Sequence, residues 1–140
     1  MRILVAVDGS PASVHAASHA AKLAKRLATP AKITLLTVDP PLMPGVETRL
    51  GKEAVRKYHH DNAEHALRGA RAALRKAGVV FKEQQVIGLP AAEIVNACNK
   101  PKADLLVMGS NGRGAAASVL LGSLAMKILS TSKVAVTIIR

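Results

Sequence analysis

Short apolar runs alternate with stretches of helical periodicity along the whole chain, and that alternation narrows the fold to a parallel α/β sheet. Five runs read as strands: Arg2–Val7, Ile33–Val38, Val79–Ile87, Asp104–Met108 and Val134–Ile139. Ser10 as N-cap and Pro11 as first helical residue open a helix to about Leu27, with Val14, Ala17, Ala21, Ala24 and Leu27 on one face. Asp39-Pro40-Pro41 stops the second strand, and Pro40–Val46 reads as a loop. A long helix is predicted from Glu47 to Ala77, its apolar stripe running through Leu50, Ala54, Tyr58, Ala66, Ala70, Ala73 and Ala77, with Gly78 as its C-cap. Gly88-Leu89-Pro90 starts a third helix to Asn99, and Ser123–Ser130 is a short last one.

The third apolar run differs from the rest. It contains Lys82-Glu83-Gln84-Gln85, whereas a central parallel strand, covered on both faces, is apolar throughout. Strand three therefore belongs at an edge, and with right-handed crossovers the natural order is 3-2-1-4-5. The expected fold is one domain over residues 1–140: α/β, a doubly wound five-stranded parallel sheet with helices on both faces, Rossmann-like. In that order the winding reverses between strands one and four, and ligands in such sheets sit beyond the strand ends at the reversal.

The two turns at that reversal are the glycine-bearing ones. Strand one runs into Asp8-Gly9-Ser10-Pro11, and strand four into Gly109-Ser110-Asn111-Gly112, followed nine residues later by Gly122-Ser123. A P-loop reading of the second turn fails, because Ala115-Ala116 stand where lysine and a hydroxyl are required. A dinucleotide fingerprint on Gly112-x-Gly114-x2-Ala117 would lie on the fourth strand and lacks the following acid that holds a ribose. The remaining reading is a phosphate cradle. Gly109 and Gly112 open the loop, and Gly122-Ser123 present the amide end of the last helix to an anion. No Asp or Glu follows Asp104, so this stretch is free of fixed negative charge.

These residues resemble the universal stress protein family, whose nucleotide-binding members carry Gly-x2-Gly-x9-Gly-Ser/Thr near the C-terminus. Gly109, Gly112, Gly122 and Ser123 match every specified position, and the likeness extends from Ile3–Ser10 to Val134–Ile139. Ala135 departs from it, since proline is frequent there in the family. The resemblance implies an ATP-binding protein of regulatory or stress-response role, with ATP or another adenine nucleotide and Mg2+. Asp8 and Val38 would grip the adenine and ribose, with Ala6, Val7 and Ser10 beside them. Backbone at Met108, Gly109, Gly112 and Arg113, and at Gly122, Ser123, Leu124 and Ala125, would hold the phosphates. Asp8 has a competing role, capping the first helix, and Arg113 a competing place as a solvated loop side chain. Ser123 reads as the last helix's cap rather than a nucleophile. A homodimer through antiparallel pairing of Val134–Ile139 follows from the exposed apolar edge as well as from the resemblance.

Other function classes are bounded by composition. The net charge of +11 leaves salt-sensitive nucleic-acid binding open, but Tyr58 and Phe81 are the only aromatics, too few for base-stacking recognition. No apolar stretch reaches membrane-span length, the N-terminal apolar run is too short for a secretory signal, and the lone Cys98 suits a reducing cytoplasm. Hydrolysis would draw on Asp8 and Asp39 alone, an inventory that makes any ATPase slow. His15 and His19, and His59, His60 and His65 with Asp61 and Glu64, read as solvated helix faces rather than metal sites. Cys98 reads as a packed thiol, and the four methionines as core.

Overall fold

The computed structural model describes residues 1–100, 102–112 and 121–140. Among them five strands, β1 (Arg2–Ala6), β2 (Lys32–Asp39), β3 (Phe81–Ile87), β4 (Leu105–Gly109) and β5 (Ala135–Ile139), pair in parallel in the order β3-β2-β1-β4-β5. Register follows the apolar positions: Val5 lies between Leu35 and Val107, and Ala6 between Leu36 and Met108. β1, β2 and β4 are largely buried, whereas β3 exposes Lys82 to Gln85, as its polarity requires of an edge.

Alternate residues of the central strands feed two separate cores. Ile3, Val5, Leu35 and Val107 face α1 (Pro11–Arg26) and α3 (Lys52–Lys76), packing on Ala16, Ala17, Ala20, Ala21, Leu67, Ala70 and Leu74. Leu4, Ala6, Leu36, Leu106 and Met108 face α4 (Pro90–Asn99) and α5 (Ser123–Thr131), packing on Ile94, Ala97, Cys98, Ala125 and Ile128. The sheet is thus doubly wound. Small alanines on α1 let that helix lie close to the strands. On α3, Gly69 meets Val14 so closely that an added Cβ would stand 2.6 Å from its Cγ2.

The long predicted helix is in fact two. α2 (Val46–Leu50) ends and α3 begins at Gly51, whose φ of 80° and ψ of 156° suit glycine alone. Gly51 N–H closes α2 on Glu47 O, and its carbonyl accepts the first α3 bond from Val55. The apolar stripe differs as well: Leu50 and Tyr58 are exposed, and His59, Ala63, Ala66, Leu67, Ala70 and Leu74 face inward. The expectation of core methionines holds for Met108 alone, because Met1, Met43 and Met126 are exposed at the first residue, in a loop and on the outer face of α5.

β3 is fastened to α3 by Arg71. Its guanidinium donates to both carboxylate oxygens of Glu64 at 2.9 Å, and to Glu83 at 2.7 and 2.9 Å. Hydrogen bonding to Arg71 holds the Glu64 carboxyl below its usual range. No helix among the described residues is long and apolar enough to cross a membrane.

Candidate functional site

The turn after β1 is built from its own polar side chains. Asp8 Oδ1 accepts the Ser10 N–H at 2.9 Å, and Ser10 Oγ accepts the Ser13 N–H at 3.2 Å, which makes Ser10 the α1 cap. Gly9, at φ 85°, lets the turn lie against α3, where a Cβ would come 3.3 Å from Ala66 Cα. Asp8 therefore supports the turn without capping the helix.

The turn after β4 is stitched at both ends. Ser110 N–H donates to Ile139 O at 2.7 Å, and Ser110 O accepts the Gly122 N–H at 2.8 Å. That second bond sets the two halves of the glycine motif side by side. It also places Gly122 at the N-cap of α5 with extended backbone, so Ser123 is the first helical residue, exposed and without the expected capping role. The first intrahelical bond runs from Met126 N–H to Gly122 O at 3.0 Å. The amides of Ser123, Leu124 and Ala125 precede it, and at a helix start such amides lack an intrahelical acceptor.

The two turns meet. Ser10 Oγ donates to Asn111 O at 3.4 Å across 101 residues of sequence, and a Cβ on Gly112 would stand 3.0 Å from Asp8 Oδ2. Between them, at the carboxyl ends of β1, β2 and β4, lies a cavity of about 560 Å³. Of the expected site residues, Ala6, Val7, Asp8, Ser10, Val38, Met108, Gly109, Gly112, Gly122, Ser123, Leu124 and Ala125 all line it, whereas Arg113 lies outside the described residues. Sequence reasoning missed Leu36, Pro40, Pro90 and Ile94, which wall the Val38 end, and Ser13 at the first turn, while Ser110 and Asn111 fall within the expected backbone stretch from Met108 to Arg113. Leu36 was within reach: it lies two residues from Val38 on one strand, hence on the same face. Pro90 and Ile94, four apart on α4, form a similar pair.

One end of the cavity is therefore apolar and the other is rich in backbone amides. Asp8 is the one charged side chain among the described lining residues. Asp39, the second candidate for hydrolysis, faces away: strand alternation turns Val38 toward the cavity and Asp39 toward α3. There Asp39 Oδ2 accepts from His59 Nδ1 at 2.5 Å and from Asn62 Nδ2 at 3.0 Å. His59 is consequently buried, not part of a solvated face. Asp39 and His59 border a separate cavity of about 260 Å³. Cys98 is buried against the α4–α5 core, and that burial pushes its thiol pKa up, as for an inert thiol. Among the described residues no cluster of three or more metal-ligating side chains occurs.

The model of the universal stress protein family matches residues 1–140. The chain belongs to the universal stress protein family. Within it, a universal stress protein of Thermus aquaticus is 30% identical over 139 residues, spanning 99% of this chain and 97% of the relative. One from Methanocaldococcus jannaschii is 29% identical over 139 residues, spanning 99% and 81%. A solved universal stress protein in complex with cAMP superposes with a TM-score of 0.74 at 28% identity, covering 100% of this chain and 97% of that one.

Proposed function

We propose that the chain binds an adenine nucleotide, ATP by the form of its glycine motif, and that the bound nucleotide governs a regulatory or stress-response role. The observation that carries this reading is the single cavity bordered by both glycine turns, with an apolar end and an amide end. Its volume lies within the range of about 300–1,000 Å³ usual for small-ligand sites. The complex of a structurally similar family member with cAMP supports an adenine ligand.

In this reading the base lies against Val38 and Leu36, and Asp8 accepts hydrogen bonds from the ribose, as a carboxylate can. The phosphates meet backbone at Met108, Gly109 and Gly112 and the amides of Ser123, Leu124 and Ala125, where the α5 dipole favours negative charge. Arg113, outside the described residues, is assigned to the phosphates by its charge alone. Gly122 acts through its small size, because its N–H is already given to Ser110 O. Magnesium accompanies the triphosphate. One carboxylate among amides and hydroxyls is no cage, so the ion's ligands are chiefly phosphate oxygens and water.

Binding rather than rapid turnover is the function, since His59 and Asn62 hold Asp39 across the sheet from the cavity. The protein acts in the cytoplasm as a homodimer joined through Val134–Ile139. Mass spectrometry of small molecules released from the purified protein, with calorimetric titration of ATP, AMP and cAMP, tests the ligand. Asp8→Asn keeps the turn's acceptor but removes the charge, and is expected to weaken binding about tenfold or more, the usual worth of a charge-assisted bond. No released nucleotide and no heat on titration would end the proposal.

A further inference from the structure

The cations are unevenly placed. In a parallel sheet every strand begins at the pole where every helix ends, opposite the cavity. At that pole Arg2 and Lys32 open β1 and β2, Lys82 is the second residue of β3, and Lys133 stands two residues before β5, all exposed. β4 is preceded by exposed Lys102 and by Asp104, which accepts the Arg2 backbone N–H at 2.6 Å. Helix ends add Lys25 and Arg26 from α1, Arg75 and Lys76 from α3, and Lys100 at the end of α4. Asp104 and Glu83 are the acids beside these cations among the described residues, and Glu83 is held by Arg71.

Helix dipoles explain part of this, because a cation in a last turn is favoured by the carbonyl end. They do not explain the strand starts, which carry no such field. Nor do local ion pairs explain the lysines: among the described residues none of Lys32, Lys82 and Lys133 enters a side-chain salt bridge. We propose that this pole binds the phosphate backbone of duplex nucleic acid without reading sequence, independently of the nucleotide cavity. Adjacent strands lie about 4.8 Å apart, so the row of strand starts is about 19 Å wide. That width passes about five phosphates of one strand at about 3.4 Å each. Single strands are not the fitting partner, since the aromatic ring at this pole among the described residues is the half-buried Phe81, and bases stack on several exposed rings. A membrane surface fits less well. The large apolar side chains exposed there among the described residues are Met1 and Val80, and no amphipathic helix lies across the pole.

Fluorescence anisotropy of the full chain with labelled duplexes of about 20 base pairs, one DNA and one RNA, tests this at about 50 and about 200 mM salt. Expected are dissociation constants of about 1–100 μM, little change between unrelated sequences, and a slope of log K against log salt of about −4. The triple variant Lys32→Gln, Lys82→Gln, Lys100→Gln should lose about tenfold in affinity and flatten the slope by about 2–3. A control carrying the same charge change elsewhere, Arg49→Gln, Lys52→Gln, Lys127→Gln, should retain most of the binding, with both variants matching the parent circular dichroism. Three outcomes overturn the proposal: no binding to either duplex at the lower salt, equal losses in the two triple variants, or tighter binding to vesicles containing phosphatidylserine than to duplex.

Discussion

Gly109 is kept free of a side chain by contact. A Cβ there would stand 2.8 Å from Ala12 Cβ and 2.9 Å from the Ala12 carbonyl carbon, against the first turn of α1. Backbone cannot step aside as a flexible side chain can, so Gly109→Ala should cost about 2 kcal/mol through overpacking. Thermal unfolding would report it, and an unchanged midpoint would show that α1 yields freely. Gly112 differs, since among the described residues its added Cβ would meet only the Asp8 carboxylate, at 3.0 Å. Gly112→Ala should therefore leave the melting temperature within about 2 °C, the scale of a surface change, and lower nucleotide affinity in titration. One motif thus holds glycines of unlike purpose, which spacing alone does not reveal. His59 was equally hidden. Counting apolar residues puts Tyr58 inside, but the inward stripe accommodates a histidine one position later because Asp39 supplies its partner.

Among the elements, β3 is the least anchored by apolar burial and the most dependent on charge. Arg71 joins it to α3 through Glu83 while holding Glu64 on its own helix. The groups are partly exposed, so Arg71→Met should cost only about 1 kcal/mol, or about 3 °C in the melting temperature of a chain this size. The sign of the pH effect follows from Glu64, whose carboxyl is lowered from 4.5 by Arg71. Its contribution is complete above the unfolded pKa and disappears as pH falls through the lower folded value. Acid titrations of stability should diverge between parent and variant above about pH 4.5 and converge below it; parallel curves would remove Arg71 from the account. Element types and order were readable because strand three carries its polarity openly. The break at Gly51 was not, since helical residues flank it on both sides and only the observed dihedral angles separate α2 from α3.

At the scale of the whole molecule, β5 lies at the sheet edge with its residues only half covered. If its outer edge pairs with a second copy, sedimentation at micromolar concentration should give twice the 14.6 kDa protomer mass. A single-protomer mass would refute the pairing. The placement of the candidate site was legible because topology and glycine turns pointed to the same end of the sheet. Its apolar wall was less so, since α4 enters it through tertiary packing that local sequence does not announce. The central position of β1 has one more consequence. Its β4 neighbour is contributed by Leu105–Gly109, and the Ser10 turn is completed by Asn111, so the first strand made waits for the fourth. A nascent chain paused before β4 has emerged from the ribosome owns the apolar wall at Leu36, Val38, Pro90 and Ile94 but not the amide wall, and so no pocket. Ligand capture must therefore follow near-complete synthesis, and cannot guide the early steps of folding.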